Sequence, residues 1–178
     1  MSFELTKKCS KYFTYKDLIE CGETQSRLGF KNLPIQERSF EALAELALNI
    51  LDPLVEKFGE LKLTYGFCSP GLAKKIPSNI APKIDQHSSW ELNSKGNLIC
   101  ERGGAAVDFI IPNTGMLEVA KWLTKNIEFD RLYFYGDKLP VHVSYGPDGT
   151  GQIVLMTNEK NGRLIPRVIS NNNFSSFS

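Results

Sequence analysis

The chain has 178 residues, with 42% hydrophobic, 23% charged and 11% aromatic residues and a formal net charge of +1. That length matches one domain on a prior of about 100–200 residues, and such a chain buries enough surface to fold without a disulfide or a metal. The near-balance of charges speaks against nucleic-acid binding by bulk charge and against disorder, and no apolar run approaches the ~18 residues of a membrane span.

The opening residues hold no apolar stretch ahead of a small-residue cleavage site. The expectation is a cytoplasmic protein with reduced thiols and no membrane partner. Cys9, Cys21, Cys68 and Cys100 are widely spaced, which argues against a thiolate zinc site. Histidine is scarce: only His87 and His142 occur.

In chain order, a short helix is expected near residues 15–21. Residues 39–58 carry the strongest helical period: Phe40, Leu43, Ala44, Ala47, Ile50, Leu51, Leu54 and Phe58 form one apolar stripe. Ser39 is the expected N-cap and Gly59 the stop, and Pro53 should kink or split the helix. Alternation in residues 61–67 reads as a strand. Residues 105–111 are nearly continuously apolar, as in a central strand. A second helix is expected over residues 115–126, with Met116, Val119, Ala120 and Leu123 on one face. Strands follow at residues 131–135 and 141–145, and residues 152–156 would add an edge strand. Helices early and strands late point to an α+β fold with an antiparallel sheet. Residues 1–170 read as one domain, followed by a polar, frayed tail over residues 171–178.

Asp108 interrupts the apolar run Ala105-Ala106-Val107-Asp108-Phe109-Ile110-Ile111. A buried carboxylate needs a cation, donors or a metal. Gly103 and Gly104 ahead of it permit close backbone approach. His142 lies within Val141-His142-Val143, and the period of two sets it on the face opposite both valines. His87 lies in a loop-like stretch. Two histidines and a carboxylate match a three-ligand metal site with an open position, suited to Zn²⁺ and, as an alternative, to Fe²⁺.

These residues resemble the M15 zinc peptidases, the D-Ala-D-Ala carboxypeptidase and endolysin group with the Hedgehog/DD-peptidase fold. The phage-like branch is the nearest, over roughly residues 13–145. Gly29-Phe30-Lys31-Asn32-Leu33-Pro34 looks like the family's lead into its first long helix. Thr64-Tyr65-Gly66-Phe67-Cys68-Ser69-Pro70 looks like its Ser-Gly-Tyr-Arg-Ser-Pro segment. Gln86-His87 with Gly104-Ala105-Ala106-Val107-Asp108 resembles its Gln-His-x-x-Gly-x-Ala-x-Asp motif. Phe129-Asp130-Arg131-Leu132 and Val141-His142-Val143-Ser144 resemble its last two motifs. The resemblance implies zinc on His87, Asp108 and His142, and hydrolysis of short, peptidoglycan-like peptides. It also places Cys68, Ser69 and Tyr135 at the substrate.

The chain departs from the family at three points. Residues 88–103 form an inserted loop or hairpin between two ligands. Cys68 replaces an arginine that engages substrate or an oxyanion, and cysteine offers an anion no charge. Tyr135 falls where the family carries its general-base glutamate, and a phenol with a pKa of ~10 is a poor base. Asp137 is the expected substitute base, with Glu91 and Glu101 as other acids. The alternative reading keeps the fold and the metal without peptidase chemistry, as an iron-dependent redox enzyme or a binding module. A metal-free structural module is the third reading.

Overall fold

A computed structural model describes residues 4–77, 81–158 and 164–177. Residues 1–3 of the leader reading and Ser178 of the tail lie outside them. The chain opens with α1 (Tyr15–Ile19) and α2 (Glu23–Leu28), then α3 (Glu37–Leu46). A π-helical turn (Ala47–Leu51) leads into α4 (Asp52–Phe58). Strand β1 (Lys62–Tyr65), α5 (Pro70–Ala73), β2 (Ala105–Ile110) and α6 (Met116–Asn126) follow. The chain ends with β3 (Arg131–Phe134), β4 (Val141–Tyr145), β5 (Gln152–Asn158), β6 (Leu164–Ile169) and α7 (Asn171–Ser175).

The long helical stretch starts earlier than expected. Gln36 precedes its first residue, and Ser39 lies inside α3. Ser39 is buried and its hydroxyl bonds Glu91 Oε1 at 2.9 Å. Pro53 neither breaks nor splits the run. A proline ring collides with the carbonyl four residues back, and the wider π turn just before Pro53 relieves that collision. Gly59 ends α4 at a φ of 86°. The stripe from Phe40 to Leu54 is buried as its period requires, except for the half-buried Ala44 at its margin.

Six strands form one sheet in the order β1-β2-β4-β3-β5-β6. The architecture is α+β, but the sheet is mixed rather than antiparallel, because β3 and β5 pair in parallel. Loop 146–151 carries the chain from β4 across the start of β3 instead of back onto β4. Gly151 and Gln152 donate backbone hydrogen bonds to Phe129 and Asp130 there. Strand β5 is therefore interior, and β6 is the edge.

One sheet face is apolar. Val107, Phe109, Leu132, Phe134, Val141, Val143, Ile153 and Leu155 join the stripe of α3 and the Met116, Val119, Ala120 and Leu123 face of α6 in the core. The expected frayed tail is corrected by α7. Ser170 caps it and Phe174 is fully buried against Phe134, so one aromatic side chain docks an otherwise polar segment. Residues 88–103 form a loop closed by a bridge between Leu92 and Leu98. No helix among the described residues is long and apolar enough to cross a membrane.

Candidate metal centre

The opposite face of the sheet carries the site. Asp108 on β2 lies directly across from His142 on β4, which lies across from Tyr133 on β3. Strand pairing thus sets an acid, an imidazole and a phenol in one transverse row. Asp108 is the one charged residue of an apolar strand because its position faces this row rather than the core. Its backbone carbonyl accepts from Thr64 Oγ1 at 3.1 Å.

His87 reaches the row from a loop. Its Nδ1 sits 2.9 Å from the carbonyl oxygen of Gly66, so that nitrogen carries the proton and donates. Its Nε2 then faces Asp108 Oδ1 at 3.4 Å. His142 Nδ1 approaches the same oxygen at 2.8 Å. The two imidazoles are 4.9 Å apart between centroids and nearly perpendicular. One ligand atom from each of the three residues lies within 4.8 Å of the others, so the group could hold a metal ion.

The donor set fits a divalent cation. A neutral His87 would turn the Nε2 lone pair against a carboxylate oxygen. Such a contact is favourable only with a proton or a cation between the two atoms. Asp108 has no Lys or Arg partner among the described residues; its ion-pair contacts are the two histidines. Two ligand atoms ~2.0–2.1 Å from a tetrahedral Zn²⁺ are ~3.3 Å apart, close to the His87 to Asp108 separation. His142 Nε2 is buried and has no hydrogen-bond partner among the described residues.

The electrostatics follow from the same crowding. Burial would raise the pKa of Asp108, but His87 and His142 outweigh it and hold the carboxyl well below the usual range. Burial works against charge on His87, yet Asp108, with Asp85 nearby, raises its pKa above the ordinary value.

A cleft of about 910 Å³ opens over the group. Tyr65, Tyr133 and Tyr135 wall it, with Ile84, Met156 and Pro166 on the apolar side and Glu23 and Asp85 as its other acids. Tyr65 and Tyr133 pack edge-on against His87 and His142 at 4.4 and 5.0 Å. Burial pushes the phenol of Tyr135 above its ordinary pKa, so it stays protonated at neutral pH.

Of the residues expected at the substrate, Tyr135 lines the cleft, but Cys68 and Ser69 are not among its described lining residues. Cys68 is buried and its backbone N–H donates to the His87 carbonyl at 2.9 Å. Burial pushes its thiol up to about 11, so no thiolate forms near neutral pH. Ser69 caps α5 through its hydroxyl, and its N–H donates to Asn32 Oδ1 at 2.8 Å.

Asp137, the expected base, stands at the start of α6. Its Oδ1 accepts from the Leu117 N–H at 2.9 Å and its carbonyl accepts from the Met116 N–H. A carboxylate there satisfies open helix donors, which is the physical reason for its position away from the cleft. Glu91 is buried and accepts from Ile35 N, Gln36 N and Ser39 Oγ, tying the loop to the start of α3. Glu101 faces a different depression, beside Arg102.

The reading from sequence missed Asp85, whose Oδ1 accepts from the His87 N–H at 3.2 Å, and the tyrosine wall. A period of two from Tyr135 does put Tyr133 on the same face, so that signal was present. Asp85, in a loop, carried none. The chain matches no family model, no curated protein and no solved structure in the comparisons made.

Proposed function

We propose that this protein is a metal-dependent hydrolase that holds Zn²⁺ on His87, Asp108 and His142 and cleaves a short peptide bound in the cleft above them. The observation that carries the reading is the convergence of both histidines of the chain on one oxygen of a carboxylate that has no other cation partner among the described residues. The resemblance to the M15 zinc peptidases supplies the reaction class and the first substrate to try, a peptidoglycan stem peptide. Zinc bound there would lower the pKa of a coordinated water toward ~7 and polarise a scissile carbonyl.

The chain's own groups account for the remaining needs. His87 is oriented through its Nδ1 by the Gly66 backbone carbonyl, as ligand imidazoles are. Tyr135, held protonated, is a donor for a substrate carbonyl. Asp85 is the cleft carboxylate beside His87, and we assign it the proton-accepting role in place of Asp137. The apolar side of the cleft takes the substrate's side chains.

The test starts with metal analysis of protein purified without chelator or a histidine tag. About one zinc per chain is expected, followed by cleavage of stem peptides that Asp85→Asn reduces at least about 100-fold with metal retained. No metal after reconstitution with Zn²⁺ would overturn the proposal. Metal retained with stem peptides left intact would overturn the hydrolase reading and leave a second one. That second reading, a metalloprotein without peptidase chemistry, is favoured by Cys68 and Tyr135 standing where the family carries its arginine and glutamate. Its mark would be iron in place of zinc, since two imidazoles and a carboxylate also suit Fe²⁺.

A further inference from the structure

We infer that Gln86, Asp130 and Arg102 form a clamp that positions His87, so that contacts outside the cleft determine how tightly the group binds a metal. The inference rests on the metal reading above. Asp108 and His142 stand opposite each other on paired strands, and their relation is set by the sheet. His87 is the only member of the group on a loop. The geometry of the set therefore varies mainly with the loop.

That loop is strained where it matters. Gln86 and Ser89 flank the His87-Ser88 pair with φ of 59° and 49°. Left-handed backbone at a residue with a side chain costs roughly 1–2 kcal/mol and persists only where surrounding contacts hold it. Both residues are held by their side chains. Gln86 Nε2 donates to the Gly103 carbonyl at 2.8 Å and to Asp130 Oδ2 at 2.9 Å. Ser89 Oγ donates to the Gly104 carbonyl at 2.6 Å. Both residues are fully buried.

Asp130 anchors the clamp. It is fully buried at the start of β3, and every contact to its carboxylate is a donor. Arg102 grips it with both prongs, Nη2 to Oδ1 at 2.6 Å and Nε to Oδ2 at 3.1 Å. Thr150 adds its N–H and its hydroxyl on Oδ1. The insertion 88–103 thus supplies Arg102 and the Gly103 carbonyl to the clamp, and has a task beyond length. Gln86 Oε1 has no partner among the described residues. A buried amide with an unmet acceptor is a costly way to fill space, so the two donors of Gln86 are what the position uses.

The test measures Co²⁺ affinity and the Co²⁺ visible absorption spectrum of the full chain, beside its melting temperature. The spectrum reports coordination geometry, which a loss of stability alone does not change. Gln86→Met keeps the length and removes both donors. It is expected to weaken Co²⁺ binding about 10–100-fold and to alter the visible bands. Asp52→Asn is the control, because Asp52 is a buried acid bonded to Ser10 and to the Lys11 N–H, in a network separate from the group. It should lower the melting temperature and leave Co²⁺ affinity and spectrum unchanged. Arg102→Lys, which replaces a fork by a point charge, decides the matter if Gln86→Met does not fold. It is expected to weaken Co²⁺ binding in the same direction by a smaller factor. Wild-type affinity and spectrum in the folded variants would overturn the clamp while leaving the metal reading standing. Equal weakening by Asp52→Asn would also overturn it. A wild-type chain that binds no Co²⁺ would overturn the metal reading itself.

Discussion

His87 and His142 approach the same oxygen of Asp108, yet they stand on different supports. His142 is held in register with Asp108, so the sheet fixes its backbone position and its face. On the proposed metal site its removal would leave two ligands, and His142→Ala is expected to abolish metal binding, read as metal per chain by elemental analysis. Asp108→Asn should do the same by removing the only anionic ligand. Asp137 makes a contrasting case. Asp137→Ala should leave metal content unchanged and cost about 0.5–1 kcal/mol in denaturant unfolding, because it deprives the Leu117 N–H of its acceptor at the start of α6. Loss of metal on that change would refute the present assignment of its role. The sequence marks Asp108 clearly, since a carboxylate in an apolar strand demands a partner. It cannot mark Asp85, because an acid in a loop satisfies every local rule without a function.

Among the elements, the ones that depart from expectation do so through contacts distant in sequence. The tail is polar by composition, but α7 turns Phe174 into the core against Phe134. Phe174→Ala should therefore cost about 3–5 kcal/mol, far more than a change in a frayed tail, measured by urea unfolding. Ser39 reads locally as a cap, yet Glu91 from loop 88–103 takes its hydroxyl and accepts the N–H groups of Ile35 and Gln36 ahead of the helix. Nothing near Ser39 in sequence announces a partner on the far side of the chain. Gly103 permits close approach, and the approaching group is the indole of Trp90. A Cβ at Gly103 would lie 2.3 Å from that ring, and the Arg38 guanidinium lies over the indole, 3.4 Å from its centroid.

At the scale of the whole molecule, stability links to pH and, on the proposed metal site, to metal. Burial would raise the pKa of Asp130, but the Arg102 fork and the Thr150 donors outweigh it and hold the carboxyl below its ordinary value. The unfolded chain, with a carboxyl near ~3.9, therefore takes up a proton before the native state does. The stabilising contribution of Asp130 is complete above about pH 4 and is lost as pH falls below it toward the native pKa. Melting temperature should drop in that window, and Asp130→Asn should flatten the drop while lowering stability at neutral pH. Zinc held as proposed would act by mass action. Zn²⁺ at 100 times its dissociation constant should add about 2.7 kcal/mol to the stability of the wild type and nothing to His142→Ala, read as the shift in melting temperature with and without chelator.

Several features were determined by the sequence alone. The helical stripe, the apolar strand with its single acid, and the two histidines as the chain's only imidazoles are local or compositional facts, and periodicity places the stripe and His142 on a face. The tertiary structure decided the rest. It put β5 beside β3, because loop 146–151 steps over a strand, and neighbouring segments pair often but not always. It brought His87 to the strand pair across loop 88–103, through a strained turn held by Gln86 and Asp130. It also moved Asp137, Cys68 and Ser69 into structural positions and set Asp85 and three tyrosines around the cleft. Each of these depends on which distant donor meets which acceptor, and that matching exists only once the chain has packed.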